Sequence, residues 1–142
     1  MHILTNLLLW LHFIGVGMGV GGGIALSQVG PKLVAASVDQ RGQWWPLETF
    51  FSRIGATGLI ILLSSGPLMV WLKFGGPGGF TRWFWVKMAL VAVAVFAVGL
   101  HEWAGARFKR GDQGAAPLMF LGGRLAGAAI LLAMLSAVFA FN

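Results

Sequence analysis

Four apolar runs divide this chain, at residues 3–29, 54–74, 84–106 and 117–141, and short stretches rich in charge, proline or glycine separate them. A helix that crosses a bilayer needs about 20 mostly apolar residues, so each run predicts one spanning helix. The fold expected is all-α, a single four-helix transmembrane domain over residues 1–142. The first run begins beside Met1, yet it lacks a positive leading segment and is longer than a signal-peptide core, so it reads as helix one.

The polar breaks refine the picture. Gly30-Pro31 is expected to stop helix one, and the segment up to Thr49 carries Lys32, Asp39, Arg41, Trp44, Trp45, Pro46 and Glu48. Its tryptophans suit a short helix at the headgroup level. G-G-P-G-G at 75–79 reads as a tight turn and R-F-K-R-G-D-Q-G at 107–114 as a polar one. Pro67 is expected to kink helix two, with Ser64 and Ser65 satisfying the carbonyls it frees.

Composition agrees with this pattern. Of 142 residues 58% are hydrophobic and 10% charged, against about 25% charged in a soluble domain. The lipid bilayer is therefore the expected partner. A net charge of +6 raises nucleic acid, but no basic cluster interleaved with aromatics supports it. Seven cations (Lys32, Arg41, Arg53, Arg107, Lys109, Arg110, Arg124) fall on one side and three (Lys73, Arg82, Lys87) on the other. The positive-inside rule then places both termini outside and the protein in a bacterial-type inner membrane. The absence of cysteine excludes disulfides, iron–sulfur clusters and thiolate metal sites.

Chemistry is concentrated in few residues. L-H-F-I-G-V-G-M-G-V-G-G-G (Leu11–Gly23) sets His12 beside six glycines in nine residues. His12, Gly15, Gly19 and Gly23 share a helical face on which another backbone, or a flat ligand, can approach closely. An ionisable residue inside a spanning helix is a functional candidate by default. On helix three Lys87, Ala94 and His101 share a face at spacings of seven. At 1.5 Å per residue, His12 lies about 13 Å and His101 about 25 Å below the outer edge, too unequal for one haem. Met134 lies about 12 Å deep on the same scale, so His12–Met134 is the better-matched axial pair. Arg53 and Arg124, near the depth of His101, are candidates for holding propionates, porphyrin carboxylates or anionic lipid. The four carboxylates (Asp39, Glu48, Glu102, Asp112) are placed in loops or at helix ends, which disfavours a carboxylate proton relay.

F-S-R-I-G-A-T-G-L-I-I-L-L-S-S-G (Phe51–Gly66) and F-W-V-K-M-A-L-V-A-V-A-V (Phe84–Val95) resemble the membrane domain of copper resistance protein D. L-H-F-I-G-V-G (Leu11–Gly17), the Val86-Lys87 pair and a later histidine also resemble the small four-helix bacterial protoporphyrinogen oxidases, which are associated with haem b. That resemblance implies a functional role for His12 and Lys87, and for His101 with a three-residue offset. The glycine run after His12 and Leu121-Gly122-Gly123-Arg124 differ from the oxidase pattern.

Three function classes follow. The first is a haem b-binding redox protein that passes electrons between a quinone or porphyrinogen and a partner. Its ligands are His12 with Met134 or His101, with Lys87 as the catalytic candidate and Arg53 and Arg124 on carboxylates. The second is a cofactor-free accessory subunit, in a homo-oligomer or larger membrane complex. The third is copper transport.

Overall fold

In the computed structural model, residues 2–76, 78 and 80–140 are described. Four helices, α1 (His2–Ala35), α2 (Val38–Phe74), α3 (Arg82–Lys109) and α4 (Ala116–Ala140), account for nearly all of them, with a 3-10 turn at Gln113–Ala115. Each α-helix is long and apolar enough to cross a membrane. The start of α1, the end of α4, the end of α2 and the start of α3 lie at one end of the antiparallel bundle, here the terminal end. The α1–α2 and α3–α4 turns form the hairpin end.

Two helix boundaries differ from the sequence expectation. α1 runs through Gly30-Pro31, and α2 begins at Val38 rather than near residue 54. Proline inside a helix removes one hydrogen bond and costs about 3 kcal/mol. The extra turn of α1 offsets this by burying Leu33 completely, among Ala104, Phe108, Ala115, Ala116 and Met119. Val34, Trp44 and Trp45 pack against the same cluster. The segment read as a loop is thus the first four turns of a 37-residue helix. At about 1.5 Å per residue α2 is about 55 Å long, well beyond a hydrocarbon core of about 30 Å.

Cations close the hairpin end over aromatic rings. Lys32 stands 5.4 Å from the Trp44 ring and Lys109 5.5 Å from Trp45. Arg41 lies 4.8 Å from Phe108 and Arg107 4.9 Å from Trp103. Arg107 also pairs with Asp112 at 2.7 Å across the turn into α4. At the other end Gly75 takes φ 70°, the left-handed conformation that stops α2, and donates its N–H to the Trp71 carbonyl. Of the expected turn at 75–79, Pro77 and Gly79 lie outside the described residues.

Between the ends the bundle is inside-out. Ile60, Phe96 and Leu135 are exposed, whereas Ala94, Ala97, Ala129 and Ala133 are buried. Small residues bring backbones together where lipid supplies no hydrophobic drive. A Cβ at Gly58 of α2 would lie 2.7 Å from the Gly15 carbonyl oxygen, and one at Gly22 2.9 Å from the Gly55 nitrogen. On the other hairpin a Cβ at Gly122 would come 2.7 Å from the His101 nitrogen. α1 therefore packs on α2 and α3 on α4, and the hairpins meet chiefly through α1 and α4. The backbones of α2 and α3 barely approach.

Candidate functional site

His12 is half-buried on α1, and its Nδ1 lies 2.8 Å from Ser65 Oγ on α2. Ser65 has a single hydroxyl proton and donates it to the Ile61 carbonyl at 2.6 Å. Because that carbonyl can only accept, Ser65 must accept from His12, so Nδ1 carries a proton. In the neutral ring Nε2 then holds the lone pair, the arrangement in which a metal-ligating imidazole is found when its other nitrogen is anchored. The ring passes over Gly66, where an added Cβ would sit 3.5 Å from Cε1. Lys87, half-buried on α3, stands within electrostatic reach of His12.

The serines do not do what Pro67 suggested. Pro67 frees the Leu63 carbonyl, but Ser64 bonds the carbonyls of Ile60 and Ile61, and Ser65 that of Ile61. Ser65 serves to orient His12.

His101 is buried on α3 and committed at both nitrogens. Nδ1 donates to the Met119 carbonyl at 2.9 Å, and Nε2 lies 3.1 Å from Glu48 Oε1. Since Nδ1–H is fixed by a carbonyl, one further proton serves the Nε2–Glu48 contact. It resides either on Nε2, facing a carboxylate, or on Glu48, facing a neutral ring. Beside this pair Ser52 donates a hydrogen bond to Glu102. The backbones of α2 and α3 are thus joined here by two side-chain bridges, Glu48–His101 and Ser52–Glu102. Gly122 and Gly123 let α4 pass directly beneath the imidazole.

The two histidines are not brought together. Their partners Ser65 and Glu48 are 17 residues apart on α2, about 25 Å along the helix. Met134 is exposed at 42%. Gly19 meets Ile130 and Gly23 meets Gly127; that register sets His12 opposite residues 137–138 of α4, leaving Met134 about one turn off. Arg53 and Arg124 are both exposed and belong to the His101 level. The glycine face of α1 is packed by α2 at Gly15 and Gly22 and by α4 at Gly19 and Gly23. Among the described residues no three His, Cys, Asp or Glu side chains converge as a metal site.

Glu48, expected in a loop, lies inside α2 one turn before Ser52, which corrects the placement of all carboxylates in loops or at helix ends. The signal was present: Glu48, Ser52 and Gly55 recur at four- and three-residue spacings that carry the helix-two face back past residue 54. Glu102 is exposed while accepting from Ser52. Compared with known proteins, the chain matches no family model, no curated protein and no solved structure.

Proposed function

We propose that the protein is a membrane redox protein that holds haem b through His12 Nε2 and exchanges electrons with a quinone or porphyrinogen. The observation that carries this reading is the Ile61–Ser65–His12 chain of hydrogen bonds, which fixes the protonated nitrogen and leaves the other as a ligand. The filled glycine face of α1 directs the bound group toward the side where α2 and α3 diverge, and Lys87 is the cation there to hold a carboxylate. Arg53 lies 12 residues from Ser65 on α2, about 18 Å away; the arginines are thus assigned to headgroups or to the His101 region. The haem iron would supply one-electron chemistry, while the chain supplies ligand, orientation and a lipid-walled surrounding. The cation excess at the hairpin end sets that end in the cytoplasm.

The test is an oxidised-minus-reduced visible spectrum of the purified protein, expressed with haem available, and of His12→Ala. A haem spectrum in the wild type that is lost in the variant supports the reading. A colourless wild-type protein overturns it.

A second reading has its own observation. Gly17 and Gly21 form an exposed small-residue pair on α1, and a Cβ at either would meet nothing within 4 Å. A helix of another chain fits such a face, as in an accessory subunit. Copper transport has no comparable support.

A further inference from the structure

His101 borders two small cavities, and its partner Glu48 borders one of them. One, of about 30 Å3, is lined by Ser52, His101 and Glu102 among small residues of all four helices. The other, of about 20 Å3, is lined by Ser27, Glu48, His101 and Arg124. A water needs roughly 10–15 Å3 of such space and two or more polar partners, and both cavities meet that requirement. A titratable pair with one shared proton, whose imidazole reaches room for water in both cavities, is the geometry of a proton carrier rather than of a dry structural bridge.

We propose that Glu48, His101, Ser52 and Glu102 form a proton-exchange site serving the aqueous face at the hairpin end. The existing hydrogen bonds set the direction of release. Ser52 passes its hydroxyl proton to the Glu102 carboxylate and takes one from a water in the first cavity. That water is reprotonated by His101, the member of the pair that borders the first cavity, with the proton it shares with Glu48. The pair is left as a carboxylate facing a neutral imidazole, with Nδ1–H still held by Met119. Uptake is the reverse. Glu102 is exposed and lies seven residues before the end of α3 at Lys109, about 10 Å from it.

The charged groups around the pair come from three helices. α2 contributes Glu48, with Arg53 turned outward; α3 contributes His101 and Glu102; α4 contributes Arg124 at the edge of the second cavity. α1 offers Ser27 and, among the residues lining the cavities, no titratable group. The site does not depend on the haem reading, since His12 lies at the other end of the bundle.

Infrared difference spectra of the purified full chain, taken across the pH range in which histidine titrates, test the proposal. The wild type minus Glu48→Gln spectrum is expected to contain a protonated-carboxyl stretch whose intensity changes with pH. Ser52→Ala, a small change that keeps the Glu48–His101 pair, is expected to retain that stretch and slow its exchange in deuterium oxide. A Glu48 signal that is absent or constant across the range overturns the proposal. So does unchanged exchange in Ser52→Ala, which is the result a purely structural hydrogen bond would give.

Discussion

His12 and His101 both lie in spanning helices and both bond a side chain of α2, yet the bundle holds them in opposite ways. His12 has one anchored nitrogen, a hydroxyl partner and half-exposed surroundings. His101 has two anchored nitrogens, a carboxylate partner and burial by all four helices. The backbone beside each explains the difference. Near His12 the close packing is between α1 and α2, glycine on glycine, and α3 stands off. Near His101 the close packing is between α3 and α4, at Gly122 and Gly123, and the large side chains of Leu33, Phe108 and Met119 are buried just beyond it toward the hairpin end. The lesson is that one small bundle packs its two ends differently, and the polar chemistry divides with them.

The largest effect is expected where a buried charge partner is removed. Glu48→Leu leaves His101 without its carboxylate, a change that typically costs about 3–5 kcal/mol. Reversible unfolding of the purified protein in mixed detergents measures it. A loss no larger than that of Ser65→Ala would erase the distinction between the two histidines.

Glycine packing sharpens the comparison from the backbone side. Gly58→Ala forces a Cβ to within 2.7 Å of the Gly15 oxygen and Gly19 nitrogen. Overpacking of this kind costs about 1–3 kcal/mol. Gly55 sits across the Gly22 contact, but a Cβ there meets nothing within 4 Å. Gly55→Ala is therefore expected to stabilise the helix by about 0.5–1 kcal/mol. The same unfolding assay should return opposite signs for the two alanines; equal signs would mean that close backbone approach is not what the glycines provide.

Much of this architecture was legible from residue patterns. The number of spans, their order and their antiparallel arrangement follow from four apolar runs and their polar breaks. What stayed hidden was anything that required knowing where helix two begins. Pro46 and a run of polar residues imitate a loop, and only the packing of Trp44 and Trp45 against the buried cluster of Leu33, Phe108 and Met119 shows why the chain remains helical there. With that segment misread, Glu48 could not be placed opposite His101. The role of the glycine run was also ambiguous, since a small-residue face accepts a helix or a ligand alike; the contacts of Gly15 and Gly22 with α2 decide for the helix.

Ser65→Ala probes the weaker of the two histidine anchors. It removes two neutral hydrogen bonds, to His12 and to the Ile61 carbonyl, with an expected stability loss of about 0.5–1.5 kcal/mol for each. If His12 binds haem, freeing its Nδ1 should also weaken binding by about 10–100-fold, as losses of such supporting bonds do at metal sites. Haem titration of the purified protein reads this directly. Retained affinity in Ser65→Ala, with affinity lost in His12→Ala, would keep the ligand and discard the orienting role of Ser65.

The smallest effect belongs to Met134. Its side chain is 42% exposed, and the α1–α4 register sets it about one turn from the level of His12. A surface substitution of similar volume usually changes stability by no more than about 0.5 kcal/mol, so Met134→Leu should unfold almost as the wild type does. Its reduced visible spectrum should also match the wild type, because sulfur ligation to an iron on His12 would require α4 to slide along α1. Gly23 against Gly127 and Gly19 against Ile130 oppose that movement. A spectrum altered in Met134→Leu and in His12→Ala alike would show that the slide occurs, and that the terminal end of the bundle is the mobile one.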